Sequence, residues 1–110
     1  MDERARRVGQ NEAMFREVNE RIEGLNQRFA TAPTVMTIVC ECGDATCVDQ
    51  VAVRVAAYER IRRDPALFFL VPGHEDPEVE EVVDRSGDHV VVRKLPGEPQ
   101  RIAEASDPRA

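Results

Sequence analysis

The chain has no tryptophan, one tyrosine and one lysine in 110 residues. Its four phenylalanines add little aromatic mass. A small domain with so few large rings gains from an added staple such as a metal ion. Lys94 stands against fourteen arginines. With abundant alanine, valine and proline, that preference points to a GC-rich bacterial genome. No apolar run approaches the ~18 residues of a membrane span. The longest, Leu67-Phe68-Phe69-Leu70-Val71, has strand length. No apolar segment follows the charged start Met1-Asp2-Glu3-Arg4-Ala5-Arg6-Arg7. A secretory leader is therefore not expected, and the cytoplasm is the expected location.

Several catalytic signatures are missing too. The sequence holds no C-x-x-C, no H-E-x-x-H, no deaminase H-x-E…P-C-x-x-C, no glycine-rich phosphate loop and no serine elbow. Their absence weighs against thioredoxin-like redox chemistry, common zinc hydrolases, nucleotide binding and serine hydrolysis. There is no internal repeat and no low-complexity tract. Net charge is -6, unevenly spread: residues 1–31 are neutral, with six acids and six arginines, whereas residues 65–110 carry ten acids and five bases. Nucleic-acid affinity rests on Lys and Arg contacts to phosphate, so an acidic second half disfavours that partner. Arginine-bearing faces around Arg60, Arg62 and Arg63 are the one basis for such binding.

What the chain does have is a cluster. All three cysteines fall within eight residues, Cys40-Glu41-Cys42-Gly43-Asp44-Ala45-Thr46-Cys47. Disulfides are rare in the cytoplasm, and three is an odd count for a disulfide framework. Thiolates are soft, strong zinc ligands, and structural zinc sites are four-coordinate with Cys and His. The C-x-C-x4-C spacing departs from the commoner paired C-x2-C. Alternate residues on a strand share a face, Gly43 lets the chain turn, and Cys47 closes the loop.

The fourth ligand must come from elsewhere. His74, in the turn Val71-Pro72-Gly73-His74-Glu75, is the leading candidate. His89 opens a strand and is a poorer one; Glu75, Asp76, Asp44 or a water are further candidates. Glu41, Asp44 and Asp49 make a field that disfavours an activated cysteine nucleophile. A catalytic zinc with three cysteines, a water and Glu75 or Glu41 as base satisfies the ligand count, but three thiolates make the ion a poor Lewis acid.

Residues 3–29 read as one long helix. Val8, Phe15, Val18, Ile22, Leu25 and Phe29 form an a/d stripe with Asn11 at its polar position. The stripe suits packing on the helix's own domain or pairing with a partner helix. Strands are expected at 35–40, around Val51, Val53 and Val55, at 67–71 and at 89–95. A short helix is expected at 56–63 with Tyr58 and Ile61 inward. Asp76-Pro77-Glu78 has the form of a helix start, predicting a helix over 77–85; the alternative is a hairpin arm turning at Ser86-Gly87-Asp88. Pro96-Gly97-Glu98-Pro99 breaks the chain before a helical turn at 100–105, and 106–110 is expected to be a loose tail.

The chain resembles a group of short bacterial proteins in the stretches Asn11-Glu12-Ala13-Met14-Phe15-Arg16-Glu17-Val18-Asn19-Glu20-Arg21, Cys40-Glu41-Cys42 with Cys47, Tyr58-Glu59-Arg60, and Pro72-Gly73-His74-Glu75 with Pro77-Glu78-Val79-Glu80. No activity is known for that group, so the resemblance lends no function. It implies only that the cysteines and the PGHE turn form one site.

The expectation is one α+β domain over 1–110, with a 35–95 core. A long amphipathic N-terminal helix packs on a small sheet of three to four strands with short helices. Zinc on Cys40, Cys42, Cys47 and His74 staples it. The expected role is protein interaction or regulation, through an unknown protein partner or self-association of the N-terminal helix. The alternatives are a hydrolase-like zinc enzyme with an open metal position and, last, a nucleic-acid-binding protein.

Overall fold

Five short strands form two antiparallel sheets, where one sheet of three to four strands was expected. The computed structural model describes residues 3–28 and 34–109. Its elements run α1 (Glu3–Arg28), β1 (Val35–Val39), β2 (Gln50–Arg54), α2 (Val55–Arg62), β3 (Leu67–Leu70), β4 (Glu80–Ser86), β5 (His89–Lys94) and α3 (Glu98–Ala105). β1 pairs with β2, and the second sheet has the order β3-β5-β4. The sheets meet where β1 ends: the Cys40 N–H still bonds Asp49 of the first hairpin, while the next N–H, that of Glu41, bonds the Phe69 carbonyl on β3. The chain crosses from one sheet to the other between two cysteines.

Strand periodicity sets the core. Met36 and Ile38 on β1 and Val51 and Val53 on β2 alternate inward, as a half-buried strand pair should. They meet Tyr58, Leu67, Phe69 and Val91. The other face of β3 carries Phe68 and Leu70 against Cys40, Cys42, Val90, Val92 and Ala103. β3 is thus covered on both sides, which explains why it reads as an unbroken apolar run.

The helix expected over 77–85 is strand β4, and the hairpin alternative holds. Asp76 does begin a helical turn: its side chain accepts the Glu78 N–H, and its carbonyl accepts those of Val79 and Glu80. The turn stops there because the Val79 carbonyl is taken by Leu95 N–H. Valines 82 and 83 fit either period, and pairing with β5 decides for strand. Gly87, at φ +57, opens a two-residue hairpin loop with Asp88. α3 begins two residues earlier than expected, with Pro99 in its first turn. The last described residues are anchored where a loose tail was expected: Arg109 bonds Glu20, Glu23 and Glu59.

α1 departs most from its sequence reading. Of the predicted apolar stripe only Val8 is buried; Phe15 and Ile22 sit at the margin, Val18 and Leu25 are exposed, and Phe29 lies outside the described residues. The helix is turned about a quarter revolution from that stripe. It buries Ala5, Val8, Glu12, Arg16, Asn19 and Glu23 instead. The reason is backbone supply and demand. The free edge of β1 and the carbonyl end of α3 need partners, and polar side chains on α1 provide them. Asn19 acts as a substitute strand, its amide donating to the Val39 carbonyl and its oxygen accepting the Val39 N–H, each at 2.8 Å. Asn11 donates to the Gly43 carbonyl at 2.9 Å. Arg16 donates to the carbonyls of Pro65 and Ala103, and its guanidinium lies over the Phe68 ring.

A buried ion cluster ties α1 to the second sheet. Lys94 bonds both Glu12 and Glu80, and all three are at most 2 % exposed. Two carboxylates facing one ammonium leave an excess negative charge. Burial, then the neighbouring Glu80, pushes the Glu12 carboxyl well above its ordinary range. Glu12 is therefore the member that takes up a proton more readily than a free carboxyl does. The folded state holds that proton more tightly than the unfolded one. The stabilisation is whole at acid pH, below the unfolded carboxyl pKa, and is lost as pH rises towards the folded value. Glu12→Gln should accordingly gain on wild type as pH rises above the ordinary carboxyl range, in urea melts at each pH. Lys94→Met, which strands a buried carboxylate, should cost about 3 kcal/mol or more.

Candidate metal centre

The site is assembled by two turns. Beyond β1 the chain stays extended through Cys42. Cys40 and Cys42 therefore point one way, into the core beside Leu70 and Val90, and Glu41 points the other way. Gly43 is required for a different reason from the one expected. A Cβ there would collide with Val8 Cγ1 of α1, so glycine permits the close approach of the helix. Asp44 then turns the chain back: its carboxylate accepts the Thr46 N–H and hydroxyl, and its carbonyl accepts the Cys47 N–H. On the facing sheet Val71-Pro72-Gly73-His74 is a type II turn, with Gly73 at φ +93 and the His74 N–H bonded to the Val71 carbonyl at 3.0 Å.

These turns bring Cys40, Cys42, Cys47 and His74 together, with one ligand atom from each, all within 4.8 Å of one another. His74 Nδ1 lies 3.6 Å from Cys40 Sγ and 3.7 Å from Cys47 Sγ. Metal bonds of about 2.3 Å to sulfur and about 2.05 Å to nitrogen give tetrahedral S···N edges of about 3.6 Å. The cluster could hold a metal ion of that coordination. The other ring nitrogen of His74, Nε2, faces Asp49 Oδ2 at 3.5 Å, the carboxylate–histidine arrangement that orients metal-binding imidazoles.

Backbone amides prepare the sulfurs. Val71 N–H donates to Cys40 Sγ at 3.2 Å, and the amides of Asp44 and Asp49 serve Cys42 and Cys47. The hydrogen bond from Cys40, above all, lowers the Cys42 thiol to about 5. The same bond pushes the Cys40 thiol up, and burial does so for Cys47. Thiolate character concentrates on Cys42, and a metal would have to displace protons from the other two sulfurs.

The other candidate residues stay out of the cluster. His89, half-buried, lies edge-on to Phe69 and away from the cysteines. Glu75 accepts the Gly73 N–H, Asp76 pairs with Arg4, and Asp44 is committed to its turn. A groove of about 350 Å³ runs past the site, but His74 alone of the four cluster residues lines it.

Glu41 is the residue whose role the sequence concealed. It is fully buried, and its carboxylate accepts four bonds: two from Arg62 Nη2, one from Asn19 and one from the Phe69 N–H. The Arg62 guanidinium also lies over the Tyr58 ring, 4.7 Å from its centroid. Two expectations change as a result. Glu41 is neutralised by Arg62 and adds little to an acidic field around the cysteines. Arg62 is 1 % exposed, so the face proposed for nucleic acid loses its middle arginine. The one sequence signal for this role was position: strand alternation sends the residue between two same-facing cysteines into the opposite layer.

The chain matches no protein-family model, no curated protein and no solved structure. No helix among the described residues is long and apolar enough to cross a membrane.

Because Glu41 fixes the segment that carries two of the cysteines, its loss should reach both fold and site. Glu41→Gln leaves Arg62 buried without a counter-ion and is expected to cost about 3 kcal/mol or more in urea unfolding. Adding Arg62→Met should recover part of that loss; equal destabilisation by the single and double variants would refute the coupling.

Proposed function

We propose that the protein is a small zinc-stapled interaction module that pairs with a second copy of itself through α1. The reading is carried by one observation: α1 buries Glu12, Arg16, Asn19 and Glu23 and turns Met14, Val18 and Leu25 outward, at 50 %, 38 % and 51 % exposure. A helix that spends its polar face inside its own domain and keeps an apolar stripe outside is arranged for a partner. A second copy fits by charge. The chain is acidic overall, so two copies repel, but residues 1–31 are neutral. Glu17 and Arg21 flank Val18, so an antiparallel two-fold pairing sets each Glu17 against the other copy's Arg21.

The metal's part in this reading is structural. Three cysteines and a histidine make a closed four-ligand shell for Zn²⁺. The first hairpin supplies the cysteines and the turn after β3 supplies the histidine, so the ion would bind the two sheets to each other. This supports a staple over a catalytic ion, which keeps a coordination position open.

Protein prepared without chelator should carry one zinc per chain, and chelation should unfold it. His74→Ala should weaken zinc binding by about tenfold or more and lower the unfolding midpoint with it. Metal-free protein of unchanged stability would refute the staple. Light scattering at micromolar concentration should give twice the 12.4 kDa chain mass. Val18→Glu with Leu25→Glu should return the monomer with its circular dichroism unchanged, and a monomeric wild type would end the pairing proposal.

A further inference from the structure

A cavity of about 240 Å³ opens between β2, α2 and the β4–β5 hairpin. Its lining includes no residue of the cysteine cluster. Its accessible apolar lining is Val35, Ala52, Ala57 and Ile61, over a floor of the core residues Val53, Phe69 and Val91. Around these stand charges of both signs, supplied by different elements. Arg54 and Arg60 come from the β2–α2 segment; Asp84 and Asp88 come from the hairpin. Elsewhere on this surface opposite charges meet, as in Arg4–Asp76, Arg6–Glu98, Arg93–Asp64 and Arg109–Glu59. Among the described residues no ion pair joins these two arginines to these two aspartates, although all four line one hollow.

Three features of the backbone and core make the arrangement more than a chance of surface composition. First, β4 carries a bulge between Val82 and Asp84, so that Val82 opposes Val92 while Asp84 opposes Val91. In regular alternation Asp84 would share the face of Val82. The extra residue moves it to the face of Val91, which is the cavity side, and re-aiming a side chain is what such bulges do. Second, α2 starts with Arg54 as its N-cap, with no side-chain cap bond and no acid in its first turn. The Val55 N–H of that helix end is taken by the Thr34 carbonyl, and the rest of its partial positive charge, where Ala57 lines the cavity, adds to the two guanidiniums. Third, His89 lines the cavity with its Nδ1 buried and without a hydrogen-bond partner, the Asp88 carboxylate standing off at 3.6 Å.

We infer that this cavity is a binding site for a small zwitterion with an apolar side chain, of the class of a free aliphatic amino acid. Its carboxylate is taken by Arg54, Arg60 and the start of α2, its ammonium by Asp84 and Asp88, and its side chain by the apolar lining of Val35, Ala52, Ala57 and Ile61. A simple anion would meet the two aspartates and a simple cation the two arginines. A molecule carrying both charges satisfies both sets. The inference is independent of zinc and of self-association.

The test uses the full chain and L-leucine as the probe, followed by amide chemical shifts. Saturable shifts are expected at Val53, Arg54, Ala57 and His89, with those around Cys42 and His74 unmoved. N-acetyl-L-leucine, which lacks the ammonium, and L-leucinamide, which lacks the carboxylate, should each bind about tenfold more weakly, the worth of one charge-assisted contact. Arg60→Gln should weaken L-leucine but not L-leucinamide, and Asp84→Asn should weaken L-leucine but not N-acetyl-L-leucine. Both residues are exposed, so the variants are expected to fold as the wild type does. Absence of saturable shifts with L-leucine, or equal binding of all three probes, overturns the inference.

Discussion

The carboxylate of Glu41 is the point on which the rest of the structure depends. It sits where β1 leaves one sheet for the other, between two cysteines, and joins α1 through Asn19, α2 through Arg62 and β3 through the Phe69 amide. A buried carboxylate is costly unless every lone pair is used. Here both oxygens accept two bonds, and the guanidinium that neutralises them lies against Tyr58 and Phe69. Because three elements converge on one group, their relative placement is fixed by directional bonds. Apolar packing alone would leave them freer to slide.

The same economy runs through the molecule. With few rings to bury, the domain uses the ones it has twice. Phe69 and Tyr58 fill the inter-sheet core and also face Arg62; Phe68 fills the other core and faces Arg16 and Lys94. Charges are drawn inside, and α1, with Glu12, Arg16 and Glu23, brings more of them than any other element. Its helix satisfies exposed backbone at a strand edge and a helix end, as a neighbouring strand or a set of caps would in another fold.

Much of this was legible in the sequence where one physical rule dominates. The strand runs, the Pro72-Gly73 turn and the grouping of the cysteines with His74 follow from β-branched composition, turn chemistry and thiolate softness. The region 77–85 is ambiguous in sequence because its valines fit two periods, and the deciding partner is the later strand β5. In α1 the apolar spacing does not mark the inward face. The competing signal was present: Glu12, Asn19 and Asn26 recur at intervals of seven, beside Arg16 and Glu23 at the same interval. Polar residues at a helical period mark a buried face only when backbone groups await them, and those groups exist only once the sheets have formed.

Lys94 is the chain's one lysine, and it is 2 % exposed behind two carboxylates. Lysine is the usual handle for acylation, for amine-directed crosslinking and for protein tags joined by isopeptide bonds. Here the folded surface offers no ε-amino group to any of them. Chemistry of that kind must wait for the second sheet to part from α1, so a lysine-borne mark on this protein would record that the chain had been open.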